Sequence, residues 1–177
     1  YPPLDIVKAR AGDPEMGALF AKLRASTNAE KQMADTKAYL DWLTTQPKAK
    51  AGKVGVTGYC MGGGIAIRAA GTFPDRIAVA ASFHGGNLAT DAEDSPHRLA
   101  PKMRAKILVA GAEEDRSFDE AQCERLDAAF KDAGLDAEVG IWKGARHGWV
   151  PTDMPVYDRD HAERHWRELV KLFGDTA

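Results

Sequence analysis

Cysteine is scarce in this chain: only two, Cys60 and Cys123, occur in 177 residues. Two thiols cannot staple a disulfide scaffold, and their spacing fits no zinc knuckle. A reducing, cytoplasmic setting is therefore expected. A surplus of either charge is also missing. Lys plus Arg is 24 and Asp plus Glu is 26, a net charge of −2. That balance argues against nucleic acid as a partner, since such binders show a basic stripe. No apolar run approaches the roughly 18 residues of a membrane span. Internal repeats and low-complexity tracts are absent, and at about 150 residues per domain the length suits one domain over residues 1–177. The chain opens Tyr1-Pro2-Pro3-Leu4, with neither an initiating Met nor a signal-peptide pattern. We expect it to be incomplete at its front.

What is present alternates between two kinds of segment. Asp13-Pro14 starts a helix, with an acid to cap it and proline in its first turn. Met16, Leu19, Phe20 and Leu23 follow at helical spacing. Asn28 caps a second helix with Met33, Thr36, Leu40 and Leu43 on one face. Four short β-branched runs come next, at 53–58, 77–83, 107–111 and 137–142. The middle two are apolar on both faces, as in parallel strands covered from both sides. Helices are expected from Cys60 to near Pro74, from Asp119 to Ala133 with Gly134 closing it, and from Asp158 to Phe173. In the last, Ala162, Trp166, Leu169, Val170 and Phe173 are expected to point inward. Strands alternating with helices predict an α/β domain around a mostly parallel sheet with helices on both faces.

The sharpest local pattern is Gly58-Tyr59-Cys60-Met61-Gly62, where the first strand meets a helix. It is G-x-C-x-G, a nucleophile elbow with cysteine in place of serine. The flanking glycines let strand and helix approach closely through a strained turn. The sulfur then stands above a helix N-terminus, whose positive dipole end favours a thiolate. The Met61 N–H would face a developing oxyanion. The plainer reading makes Cys60 a small core residue beside a glycine turn. The strand before it and the helix after it favour the elbow. An elbow needs an acid and then a base later in the chain. Asp115, in Gly111-Ala-Glu-Glu-Asp115, follows the third strand, and His147, in Gly144-Ala-Arg-His147-Gly148, follows the fourth. His147 can take the thiol proton, and Asp115 can fix the imidazole tautomer. Glu113, Glu114 and Asp119 compete with Asp115 on position alone.

Gly58-Tyr-Cys60-Met-Gly-Gly63, Phe83-His-Gly-Gly86, Ala110-Gly-Ala-Glu-Glu-Asp115 and Ala145-Arg-His147-Gly148 resemble the dienelactone hydrolase family of the α/β-hydrolase fold. The resemblance implies a Cys60–His147–Asp115 triad. It also implies hydrolysis of a small ester or lactone through an acyl-enzyme, without metal or organic cofactor. It further implies early strands ahead of Tyr1, bringing a second oxyanion N–H and an activating glutamate that no position here matches. A monomer is expected, or a chain whose sheet a partner completes. Family members hold a substrate carboxylate with arginines, one shortly after the catalytic histidine, where this chain reads Gly148-Trp149-Val150-Pro151. The rival functions are a degenerate, non-catalytic binder of a small molecule or partner, and a thioesterase or acyl-transfer enzyme.

The remaining candidates divide between pocket and core. Tyr59, His84 and Trp149 are candidate substrate-binding residues, although a bond to a loop is the favoured reading of His84 and Trp149 could equally pack in the core. His161-Ala162-Glu163 would suit a class I glutamine amidotransferase, but the two lie on different faces of a helix. His161 and His165 could share a face, without enough further ligands for a metal. His97 starts a short helix or turn, and Cys123 lines up with Leu126 and Phe130 as core.

Overall fold

Both leading helices begin where the sequence places their caps. The computed structural model describes Asp5, residues 8–9 and residues 12–174, so the Tyr1–Leu4 opening lies outside the described residues. Helix α1 (Pro14–Ala25) has Asp13 at its N-cap, and the Asp13 carboxylate accepts the Met16 N–H at 2.9 Å. Helix α2 (Ala29–Thr44) is capped by Asn28 through the Lys31 N–H, also at 2.9 Å. Each such cap satisfies an orphan donor and contributes about 1 kcal/mol. Of the two apolar stripes only α2's reaches full burial, at Leu40, and α1 buries no residue completely.

The sheet then builds in chain order. Strands β1 (Val54–Tyr59), β2 (Ile77–Phe83), β3 (Lys106–Ala112) and β4 (Ala137–Trp142) are all parallel and lie in the order β1-β2-β3-β4. Helix α3 (Met61–Thr72) joins β1 to β2, a 3₁₀ helix (Pro96–Lys102) precedes β3, and α4 (Glu120–Asp132) joins β3 to β4. Helix α5 (Arg159–Gly174) ends the described chain.

Strand β3 shows why helices must cover both faces. Ile107 and Val109 join a core with Leu40, Ile67, Leu126 and Phe130, from α2, α3 and α4. Leu108, Ala110 and Ala112 point the other way, into a core with Trp142, Trp149, Leu169 and Leu172. Alternate residues of a strand face opposite sides, so an all-apolar strand needs two cores. The result is a three-layer α/β/α arrangement.

One expected face is corrected. In α5 the buried residues are Ala162, His165, Leu169 and Leu172, while Trp166 and Val170 are 52% and 68% exposed. Phe173 is half-buried, as expected, and packs against the second core. The helix is rotated because His165 has a partner inside: its Nε2 lies 2.7 Å from the Tyr59 hydroxyl. A polar residue with a satisfied hydrogen bond can displace an apolar one from the interior.

Candidate active site

Each strand delivers the chain to the same sheet edge. Cys60 follows β1 directly, His84 follows β2 directly, and Asp115 and His147 lie in the loops after β3 and β4. The carboxyl ends of parallel strands are where α/β sheets bind ligands.

The elbow is strained as its sequence demands. Cys60 has φ 52° and ψ −123°, outside the ordinary regions for a side-chain-bearing residue. Gly58 has no room for a side chain, because a Cβ there would meet the Gly62 carbonyl oxygen at 1.9 Å. A Cβ on Gly63 would meet the Ser82 Oγ at 2.4 Å. These two glycines permit the close strand–helix approach that leaves the Cys60 side chain exposed. Met61 opens α3, so its N–H is among the helix's first amides, which have no carbonyl partner within the helix.

Asp115 and His147 meet as the chain order requires. The Asp115 Oδ2 lies 2.5 Å from His147 Nδ1. The other carboxylate oxygen accepts the Ser117 N–H at 2.9 Å and the Ser117 hydroxyl at 2.7 Å. Burial pushes the Asp115 carboxyl upward, but the bonds from His147 and Ser117 outweigh it and hold the group below its usual value. His147 also hydrogen-bonds the Cys60 side chain. That bond is the main reason its pKa rises to about 9, with burial opposing and Asp115 adding to the rise. Among the acidic competitors, Glu113 turns instead to the Gly144 N–H at 2.7 Å.

These groups open onto a cleft of about 710 Å³. Tyr59, Cys60, Met61, Ser117 and His147 line it from the sheet edge. Phe20, Leu23 and Arg24 close it from α1. The α1 residues carried no signal in the sequence, since nothing local distinguishes a helix that packs over a distant loop. Ser117 was legible in principle, because a serine two residues after an acid favours a local side-chain turn.

Three candidate substrate-binding residues separate here. Tyr59 lines the cleft, with its hydroxyl turned to His165. Trp149 does not: it is fully buried, 5.5 Å from Trp142 and 5.0 Å from His84 between ring centres. Gly148, at φ 97°, turns the chain so that the indole folds under the histidine loop. His84 is 3% exposed and lies beneath the cleft rather than on it. The other singled-out residues sit apart. His161 Nε2 contacts the Lys143 carbonyl at 3.0 Å, Glu163 is exposed, and His165 is buried on Tyr59. His97 lies in the 3₁₀ helix with its Nδ1 2.9 Å from the Ser95 hydroxyl. Cys123 packs against the first core, where burial raises its thiol pKa. Among the described residues no helix is long and apolar enough to cross a membrane.

The chain resembles several known proteins in sequence and fold. The chain is 25% identical over 155 residues to a Synechocystis protein provisionally named a carboxymethylenebutenolidase, covering 86% of this chain and 62% of that one. It is 28% identical over 147 residues to a protein of Aquifex pyrophilus named usf, covering 82% and 61%. The chain thus spans about six-tenths of the length of these curated relatives. Among solved structures, a provisionally assigned dienelactone hydrolase from Klebsiella pneumoniae superposes with a TM-score of 0.80 at 23% identity, covering 93% of this chain and 71% of that one. A dienelactone hydrolase-like promiscuous phosphotriesterase from metagenomic libraries gives 0.69 at 25% identity, covering 81% and 61%. The fold is the α/β-hydrolase fold. The sequence profile of the dienelactone hydrolase family matches residues 7–177, and the chain belongs to that family.

Proposed function

We propose that this protein hydrolyses a small carboxylic ester or lactone, with Cys60 as nucleophile, His147 as proton carrier and Asp115 as the group that orients His147. The Cys60 sulfur attacks the substrate carbonyl carbon as a thiolate, and the carbonyl oxygen takes the negative charge. The Met61 N–H donates to that oxyanion. As the intermediate collapses, the carbon–oxygen bond to the leaving group breaks, and protonated His147 gives its proton to the departing oxygen. In a lactone that oxygen stays tethered to the acyl chain. Neutral His147 then removes a proton from water, which attacks the thioester. The carbon–sulfur bond breaks, and the acid leaves with Cys60 restored. Arg24 at the cleft supports a substrate carrying an anionic substituent.

The observation that carries this reading is the continuous relay from Cys60 through His147 to Asp115, opening on a cleft of about 710 Å³. It is tested by intact mass and peptide mapping after brief exposure of the protein to an activated short-chain ester. Acylation at Cys60, with Cys123 untouched and turnover abolished in Cys60→Ala, is the expected result. A folded protein with both thiols inert overturns it.

A further inference from the structure

His84 occupies a position that calls for an explanation. It sits at φ 42°, a region where a bulky side chain is costly. Gly85 and Gly86 follow immediately, so the fold had a cheaper residue type to hand. The ring is nevertheless buried. Its backbone N–H donates to the Ala110 carbonyl at 2.8 Å, which ties the residue to the end of β3. Its Nδ1 accepts the backbone N–H of Cys60 at 3.1 Å, sharing that donor with the Phe83 carbonyl at 3.2 Å. Its ring centre lies 5.0 Å from that of His147, at 53°. A strained, buried imidazole therefore touches both the backbone of the elbow and the ring of the triad histidine.

Resting on the function proposed above, we propose that His84 is a positioning residue that fixes the Cys60 elbow by accepting its backbone N–H and supports the His147 ring from beneath. The chemistry of the contact sets the protonation state. Accepting from Cys60 requires a lone pair on Nδ1, so the proton of the neutral ring is on Nε2. A protonated ring would have no acceptor at all. The surroundings keep it neutral: burial, then the neighbouring charge of His147, lower its pKa to about 4. The site thus holds two histidines in opposite states, one retaining its proton beside the sulfur and one refusing it beneath the backbone. A phenylalanine would fill the same space and pack against His147 equally well, but it could not accept from Cys60. Asparagine can, because its side-chain oxygen falls near the position of a histidine Nδ1, although it loses the ring.

That difference supplies the test. His84→Phe and His84→Asn are compared with wild type in three measurements: ester turnover, the second-order rate of Cys60 alkylation by iodoacetamide, and thermal melting. Cys123 serves as the internal thiol reference. A misplaced reacting group costs up to about 100-fold. The expected result is a fall of about ten- to a hundredfold in kcat and a clear fall in Cys60 alkylation for His84→Phe, with partial recovery of both in His84→Asn. A role in packing alone predicts the reverse order, since phenylalanine keeps the ring and asparagine does not. Equal or better performance by His84→Phe overturns the proposal. Should one variant fail to fold, the other decides: wild-type kcat and alkylation in a folded His84→Phe, or a loss beyond a hundredfold in a folded His84→Asn, would each overturn it. The alkylation rate does not depend on ester chemistry. Absence of turnover in wild type would therefore overturn the proposed hydrolysis while leaving the role of His84 readable.

Discussion

At the scale of single residues, the site is governed by where protons are held. His147 has its pKa raised to about 9 by its bond to Cys60, with Asp115 contributing. A group with a raised folded-state value stabilises the fold fully below its unfolded value of about 6.5. That contribution is lost as pH rises through about 9. Attack that needs the Cys60 thiolate beside protonated His147 is expected to decline with an alkaline limb near pH 9, read from the pH profile of kcat/KM, which reports the free enzyme. Asp115→Asn should move that limb to lower pH, because both the bond and the charge of the carboxylate are removed. It should also lower kcat by roughly 10⁴, since the amide can select the wrong tautomer, as the comparable change does in serine proteases. An unmoved limb in Asp115→Asn would mean that Asp115 does not address His147 in solution. Asp115 itself is held below its usual value. Its contribution is therefore present above about pH 4 and disappears as the medium becomes more acid.

At the scale of elements, the elbow and α1 behave differently. The elbow is over-determined by packing. Gly58→Ala forces a Cβ onto backbone and cannot be relieved by a rotamer, so a loss of at least about 1–3 kcal/mol is expected by urea unfolding, together with lost Cys60 reactivity. Gly62→Ala, across the elbow in helix α3, is the control: nothing lies within 4 Å of its Cβ, and stability should hold or rise slightly. Helix α1 has no fully buried residue, yet it supplies Phe20, Leu23 and Arg24 to the cleft. Phe20→Ala is therefore expected to raise KM severalfold while shifting the melting temperature by less than about 2 °C, because little core is lost. A large fall in melting temperature would show instead that α1 is held tightly in solution. This contrast also explains what the sequence could convey. The elbow, the caps at Asp13 and Asn28, and the order of acid and base are local patterns, and local patterns are legible. The cover provided by α1 and the burial of Trp149 depend on tertiary packing between distant segments. The rotation of α5 depended on one hydrogen bond, Tyr59 to His165, across 106 positions. A periodicity count sees apolar residues and cannot see such a partner.

At the scale of the whole molecule, the two sides of the sheet are covered, and among the described residues β1 pairs with β2 alone. On α5, Trp166 and Val170 are exposed, and Phe173 from the same helix reaches the β1 backbone, where its ring would lie 2.3 Å from a Cβ on Gly55. An exposed apolar helix surface is one that other chains can stack on. The physical cost of that exposure appears only at finite concentration, because each protein copy offers the same apolar patch. The protein is therefore expected to self-associate as its concentration rises, in sedimentation velocity or light scattering. Trp166→Glu with Val170→Lys should suppress that association, because two opposite charges on the helix surface remove apolar area without adding net charge. Neither residue belongs to the buried stripe of α5, so the melting temperature should change little. Unchanged association in the double variant would place the sticky surface elsewhere. Equal loss of folding would show that these two side chains are packed in solution, and that the exposed face of α5 is already covered by another chain.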